Sequence, residues 1–499
     1  MGPLFTPRQL DGLLAWYRAD RGITQTNCAR FVSSNFLSTS NASWLDGLSR
    51  LTIAVDVRLN DVTARQAWVS RWGEGNAQFI LRCQGVENPG AIVFIVADGL
   101  SDIGANFVRT DDNVLRPGVP ARIVAVFDSG DVKIYVNGEV YEIPPVPSPN
   151  AHGRGTWGTI PASLTSGSGA DLTIGTDPMP SFIQDGLMSR LCIWAGTALT
   201  KDQVACDFNT WIGVDPASNE PVTPTHAWRL DEPSGTRRDC VDIFDLSDNS
   251  GTLSDAHITQ VDDLSGNGFH ARIRPINGPT LVDNGLGGKP TVRHSAGNGQ
   301  FLICGLLSGP TKPPAWSLYA LAMCTDTQPA SGQTSQGLFN TFGVAGADRE
   351  TWIVCVLSDH GSPGLPGSFG MGCGDSTVPT TNIFNQANSL AGTYLANVWF
   401  QLTGIFPGGP AQVNTWFDGV SLTPKMTFIP GGHPCQCAGV AHPAVIGAAT
   451  AEGAGTSGWA PYDNDFFDGQ WADIAVCGAD TTSQREAEET FQRNWLTET

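Results

Sequence analysis

His433-Pro434-Cys435-Gln436-Cys437, with His442 close behind, is the cluster whose side chains have transition-metal chemistry. Two thiolates and two imidazoles can surround zinc. Cys-x-Cys is tighter than the Cys-x-x-Cys of common zinc sites, however, and a loop with a disulfide or two unrelated thiols is the plainer meaning. Asp262, Asp263 and Asn267, in Asp-Asp-Leu-Ser-Gly-Asn-Gly, offer hard oxygen donors suited to calcium. The same string is ordinary turn chemistry, with Gly or Asn taking positive φ, and it lacks the spaced carboxylates of a committed calcium loop. A turn is therefore the expectation. Calcium, and with a weaker signal zinc, are the ions these clusters would take, and no cofactor is required.

Cleavage of a glycosidic bond needs two carboxylates aimed into one groove, which the strand spacing Glu-x-Asp-x-(x)-Glu would supply. No such string occurs. Glu139 and Glu142 have an odd spacing that puts them on opposite faces of a regular strand. Asp463, Asp465 and Asp468 alternate onto one face, yet Asp468 belongs to an Asp-Gly turn. There is no Gly-x-Ser-x-Gly elbow between a strand and a helix, and no phosphate-cradling Gly-rich Lys motif. No residue is assigned a catalytic role, and a non-enzymatic protein is expected.

Fifteen tryptophans offer flat apolar faces on which a sugar ring can stack. Trp16, Trp194, Trp228 and Trp416 lie within apolar strand runs and are expected in the core. Trp72 beside Gly73-Glu74, Trp157 between Thr156 and Gly158, and Trp459 in a Gly-rich stretch are the candidates for exposure and glycan contact, with loop anchoring as their plainer role.

The elements that would position these residues come as one ordered set of marks, present twice. The first copy has Val132 to Tyr135 closed by Asn137-Gly138, then Ile174-Gly175, Asp185-Gly186, and Leu191 to Trp194 leading into Thr200-Lys201-Asp202-Gln203. The second has Val413 to Phe417 closed by Asp418-Gly419, then Ile446-Gly447, Asp468-Gly469, and Ile474 to Cys477 leading into Ser483-Gln484-Arg485-Glu486. Two β-modules on one plan follow, residues 1–218 and 219–499. Leu10 to Asp20, with Ala15-Trp16, is expected to open the first, and Ala227-Trp228 the second. Asn35-Phe36-Leu37 matches Gln300-Phe301-Leu302. Thr200 with Gln203 and Ser483 with Glu486 have capping-box spacing, so a short helix should close each module, with Val204, Phe208 and Trp211, then Ala487, Phe491 and Trp495, on its buried face.

Gly 58, Pro 33 and only 15% charged residues describe a loop-rich β-protein, and 41% apolar content excludes wholesale disorder. A net charge of −20 repels phosphate backbones and anionic lipid, which argues against nucleic acid and membrane insertion. The beginning, Met1 to Arg8, has no basic region followed by an apolar core, so no secretory leader is expected. The twelve cysteines are scattered without the spacing of a disulfide scaffold, and most are expected reduced and buried.

Taken together, "IYVNG" at Ile134 to Gly138, "DGLMSRLCIWAGTALTKDQV" at Asp185 to Val204, "VDDLSGNGFHA" at Val261 to Ala271, "KPTVRHSAGNGQFL" at Lys289 to Leu302 and "FDGQWADIAVCGADTTSQREAEETFQRNW" at Phe467 to Trp495 resemble the concanavalin A-like lectin/glucanase superfamily in its laminin G-like branch. The resemblance implies an all-β protein of two tandem antiparallel jelly-roll β-sandwiches, on a scaffold that hosts lectins, adhesion domains, structural modules and glycanases. It also implies calcium at a sheet rim, as many laminin G-like domains bind it. Modules of this type occur in phage decoration and fibre proteins. With a leaderless, acidic chain, the expectation is a structural or adhesion protein on a virion surface, forming homo-oligomers and contacting capsid proteins or cell-surface glycans. A secreted extracellular lectin-like protein is the alternative, and a glycoside hydrolase or polysaccharide lyase the second.

Overall fold

The computed structural model of the chain describes residues 6–497 apart from 33–34, 41, 74–75, 98–105, 142, 144–153, 167–168, 178–183, 212–221, 243, 250–252, 274–277, 297–299, 305–314, 327–334, 341–351, 358–367, 375–383, 389–391, 408–412, 423–443 and 451–460. It resolves into two compact units. These are nested in sequence, which differs from the expected division at residue 218. An inserted unit comprises Thr26–His257 and Arg274–Ile276, and a host unit comprises Met1–Gln25, Ile258–Ile273 and Asn277–Thr499.

The inserted unit is a sandwich of two antiparallel sheets. One runs Ser247–Asp248, Leu37–Thr39, Leu172–Ile174, Gln66–Arg71, Phe79–Gly85, Asn88–Val96, Phe107–Arg109, Gly155–Trp157. The other is built on Glu139–Tyr141, Asp131–Val136, Ala121–Asp128, Arg50–Leu59 and Gly186–Ala195. Strand alternation explains the core: Phe79, Leu81 and Cys83 point inward to meet Ile53, Val55 and Leu191 of the facing sheet, while Ile80, Arg82 and Gln84 point away. Each fully buried Phe, Leu or Ile there contributes roughly 1.5–3 kcal/mol.

The host unit repeats the plan. One of its sheets runs Thr280–Leu286, Lys289–His294, Gly469–Cys477, Trp316–Cys324, Trp399–Phe406, Asn414–Phe417, Val420–Ser421, and the other is built on Leu302–Ile303, Val445–Ile446, Ser335–Asn340, Trp352–Leu357, Ser368–Gly374 and Phe384–Asn388. The repeated marks have repeated causes. Asn137 (φ 52°) and Asp418 (φ 50°) each begin a hairpin turn, and each side chain accepts a hydrogen bond from the backbone N–H of the strand before the hairpin, Arg122 at 3.0 Å and Gln401 at 2.8 Å. Gly175 (φ 84°) and Gly447 (φ 91°) sit against the rings of Phe31 and His294, where a Cβ has neither the room nor the backbone conformation it needs. Phe31 and His294 themselves pair with Gly186 and Gly469, the glycines of the Asp-Gly marks. Leu37 and Leu302 begin corresponding short strands, on Leu172–Ile174 and Val445–Ile446.

Two expectations are corrected. The N-terminal strand, Leu13–Arg18, does not open the inserted unit. It lies along Gly469–Cys477, with Trp16 opposite Ala475 and Tyr17 opposite Ile474. His226–Trp228 in turn lies along Gly186–Ala195, with Trp228 opposite Leu191. In both units the last long strand has a half-edge free beyond its bulge, and a short Trp-bearing strand fills it. The counterpart of Trp228 is therefore Tyr17, one residue displaced from the matching tryptophan. Trp16 faces the other way, edge-on to Phe491 at 6.1 Å.

The second correction concerns a cap. Helix α1, Lys201–Trp211, begins as expected: Thr200 N–H donates to Gln203 Oε1 at 2.9 Å and Gln203 N–H to Thr200 Oγ1 at 3.3 Å. Helix α2, Arg485–Thr497, starts too late for Ser483 and Glu486 to form a box. Gln484 N–H bonds Thr481 O at 2.8 Å instead, and the Gln484 side chain serves the N-terminal segment, donating to Gln9 O at 3.0 Å and accepting from Asp11 N–H at 2.9 Å. Among the described residues no helix is long and apolar enough to cross a membrane.

Candidate functional site

On the outward face of the inserted unit's first sheet, two rows of side chains cross neighbouring strands. Ile80, Ile95, Phe107 and Trp157 stand opposite one another on four successive strands. Two residues along, Arg82, Val93 and Arg109 form the second row. Because strand side chains alternate with period two, both rows share one face. Trp157 is half-buried and stacks on Phe107 with ring centroids 4.7 Å apart and planes 11° apart, while the Arg109 guanidinium lies 4.4 Å from the Trp157 ring. Arg109 is oriented by Asn88, whose Oδ1 accepts from Nη1 at 2.6 Å, and Arg82 donates to Gln84 Oε1 at 3.1 Å.

The two arginines are 5% exposed each, so the face reaches solvent at its Phe107–Trp157 end. Burial, and after it Arg65, pull Arg82 down to about 10. Burial lowers Arg109 as well, against the opposing fields of Asp112, Glu87 and Asp111. Asp111 is engaged in holding the neighbouring loop, accepting from Tyr141 O–H at 2.6 Å and from Arg154 N–H at 3.2 Å. An indole pinned between phenyl and guanidinium partners is held rigidly, and with both faces covered it is its outer edge that is left to meet a ligand.

The sequence named Trp157 for this place and missed its partners. The signal was present: in Phe79-Ile80-Leu81-Arg82-Cys83-Gln84 and Phe107-Val108-Arg109, alternation puts each arginine opposite the core residues. Trp72, expected exposed, is 7% exposed and packs into an apolar cluster with Ala67, Ala77, Ile80, Val93 and Ile95. Its glycine neighbour turns the chain, but the ring falls back onto the sheet and anchors the loop. Trp16, Trp194 and Trp228 are buried, and Trp416 is half-buried with Arg485 4.7 Å from its ring. Trp459, His433, Cys435, Cys437 and His442 lie outside the described residues.

The side chains proposed for calcium are engaged within the turn. Asp263 Oδ1 accepts from the Trp16 and Ser265 N–H groups, and Oδ2 from Ser265 O–H and Phe269 N–H, at 2.7–3.1 Å. Asp262 accepts from Gln260 at 2.6 Å and lies 3.1 Å from His270 Nδ1, and Asn267 donates to Leu13 O and Leu14 O. Among the described residues no three His, Cys, Asp or Glu side chains converge as metal ligands. Of the carboxylates considered for hydrolysis, Glu139 lies 4.0 Å from Lys201, and Asp468 is a turn residue whose N–H donates to Gln336 Oε1 at 3.1 Å. Glu142 and the side chains of Asp463 and Asp465 lie outside the described set.

A second concavity, of about 270 Å³, lies beside the start of α1 between Tyr135, Leu199, Lys133 and Lys201. Its charges are balanced locally: Lys133 faces Asp131 at 3.5 Å, and Asp128 at the rim faces Arg50 at 3.0 Å.

No protein-family model and no curated protein matches the chain. Solved structures do resemble it. A Bacteroides ovatus protein proposed to bind carbohydrate is 18% identical over 46% of this chain, with a TM-score of 0.33, and 59% of that protein's length is covered. Domains LG4-5 of the mouse laminin α1 chain are 11% identical over 96% of both chains, with a TM-score of 0.26. A heptameric SAP-like pentraxin from Limulus polyphemus is 13% identical over 45% of this chain and 95% of its own, with a TM-score of 0.27.

Proposed function

We propose that the protein is a non-enzymatic glycan-binding protein whose sugar contact is the Phe107–Trp157–Arg109 end of the outward face. The observation that carries this reading is the fixed stack itself: an edge-strand indole held parallel to Phe107 at 4.7 Å, with a guanidinium 4.4 Å from its ring. With Phe107 on one face and Arg109 on the other, the indole would meet a sugar along its exposed edge, held in place by the stack. A glycan array probed with the intact protein and with Trp157→Ala tests it. Ligands retained by the wild type and lost by the variant support the reading, and a variant profile identical to the wild type would refute it.

For placement we propose the surface of a virus-like particle, where copies associate with one another and with capsid proteins, the exported lectin-like protein being the alternative. The supporting feature is thiol chemistry. Among the described residues the thiols of Cys83, Cys192, Cys304, Cys324 and Cys477 are unbridged and buried, as suits a chain folded in a reducing compartment. Co-sedimentation of the native protein with particles checks this placement. Recovery only as a soluble species bearing a cleaved leader would decide for export.

A further inference from the structure

Each unit lays a helix on one face of a sheet, and the polar groups trapped beneath the two helices differ by one charge. In the inserted unit the fully buried Arg122 lies 2.6 Å from Asp56 and 2.6 Å from Asp207 of α1. The residue in its place in the host unit is Gln401. Both donate their backbone N–H to the first residue of the hairpin turn, and both reach the closing helix, Arg122 at Asp207 and Gln401 at Gln492. Gln401 brings no positive charge, yet the carboxyl groups are not fewer. Asp473, 1% exposed, accepts from Trp16 Nε1 at 3.0 Å and Gln492 Nε2 at 2.9 Å. Glu488 of α2 is wholly buried, and neither of its oxygens has a partner in the protein. Gln401 Oε1 and Thr403 Oγ1, on the same sheet face, lack partners as well. A buried carboxylate with neither a cation nor a donor is not sustained as an anion, and the inexpensive remedy is a proton.

We propose that the host unit carries a proton-operated latch: α2 is held on its sheet by neutral Glu488 and Asp473, and its docking loosens as they ionise. The other charged or titratable groups around the pair do not supply the missing cation. Arg18, from the N-terminal strand, is tied to Asp20 at 2.7 Å. Arg485 of α2 is held by Glu489 and lies 3.3 Å from Glu486. Arg493 of α2 reaches toward Gly419, beside Asp418. Tyr319 and Cys477 on the sheet are neutral, each pushed up by burial, with Asp11 adding to the field at Cys477.

The direction of titration agrees with the geometry. Burial pushes Asp473 up to about 6, against its bonds to Gln492 and Trp16 and the charge of Arg18, with Asp20 adding to the rise. Burial, and then Asp473, hold Glu488 well above the usual carboxylate range. A carboxyl that binds its proton more tightly when docked keeps more protons docked than undocked at every pH between its two values, so raising pH across that interval favours undocking. For Asp473 the interval ends near pH 6, and Glu488, held well above the usual carboxylate range, adds to the effect in the same direction.

Hydrogen exchange along the intact chain, corrected for intrinsic rates, reads the latch with α1 as internal reference. Between pH 5 and pH 7 the opening constant of the α2 amides should rise with pH, by up to about tenfold per pH unit for each carboxyl that stays protonated when docked, while that of α1, with Arg122 in place, stays flat. In Glu488→Gln, which cannot ionise, the rise above pH 6 should vanish. An α2 opening constant independent of pH, or a slope above pH 6 that survives in Glu488→Gln, would overturn the proposal. Should that variant fail to fold, the infrared C=O stretch of a protonated carboxyl in the wild type at pH 6.5 decides: its presence supports the latch and its absence overturns it.

Discussion

Truncating Tyr17 should destabilise the C-terminal part of the chain while leaving Thr26–His257 intact. Tyr17 is fully buried among Ile474, Val292 and Trp471, and its hydroxyl donates to Phe269 O at 2.6 Å. Removal of a buried aromatic ring costs about 3–5 kcal/mol, and the orphaned Phe269 carbonyl adds about 1 kcal/mol. The sum, about 4–6 kcal/mol, is a large part of the ~5–15 kcal/mol that holds a domain together. For a domain of this size it lowers the melting temperature by roughly 10–20 °C. Calorimetry of Tyr17→Ala should show one transition displaced by that amount and one unmoved. Hydrogen exchange should assign the displaced transition to Ile258–Ile273 and Asn277–Thr499. Trp228→Ala is the mirror experiment and should displace the transition of Thr26–His257, where Trp228 is buried and its Nε1–H donates to Phe244 O at 2.8 Å. If Tyr17→Ala instead destabilises Thr26–His257, the nested arrangement of the chain is wrong.

Three further outcomes follow from particular residues. Arg122→Met leaves Asp56 and Asp207 buried without their cation and should cost about 3–5 kcal/mol in denaturant titration, confined to the inserted unit; a loss below 1 kcal/mol would mean that the triad is not shielded from water. His294 donates from Nδ1 to Gln300 O at 3.1 Å, accepts Trp471 Nε1–H at 3.0 Å, and is pulled down by burial to about 4. The folded state therefore binds fewer protons than the unfolded one between pH 6.5 and 4, and host-unit stability falls by up to about 3 kcal/mol as pH drops through that window, opposite in sign to the latch. His294→Phe, which copies Phe31 of the other unit, should remove this acid sensitivity while lowering stability at pH 7 through the orphaned indole N–H; equal acid sensitivity in the variant would contradict the assignment. Finally, with Asp263 saturated by four donors, chelation of calcium should leave the host transition unmoved, whereas Asp263→Ala should lower it by about 2 kcal/mol or more; a shift on chelation would show that this loop binds an ion after all.

Much of the architecture was legible because it is written in period and turn chemistry. Alternation located the long strands, Asn137-Gly138 and Asp418-Gly419 announced their hairpins, and Ile-Gly recurs because a ring from the facing sheet occupies the space of a Cβ. What local pattern cannot encode is the partner of a strand. Leu13–Arg18 and His226–Trp228 carry the same apolar pattern, and either would fit the half-edge beyond the bulge of either long strand, so order along the chain suggested one assignment and the fold makes the other. The cap at Ser483 failed for a related reason: Gln484 is claimed by Gln9 and Asp11, residues more than 470 positions away. At the candidate site a single tryptophan could be named from its glycine neighbours, but the arginines that complete it are visible only once adjacent strands are in register. Trp72 shows the limit of that clue, since a glycine beside an indole signals a bend and says nothing of which way the ring falls.

The most direct test of sugar recognition without turnover is isothermal titration of a glycan selected on the array against wild type and Trp157→Ala, with reducing ends counted in the recovered ligand. Saturable heat with the wild type, at least tenfold weaker binding in the variant and no new reducing ends is the predicted result. Equal affinities in the two proteins, or ends accumulating with time, would contradict it.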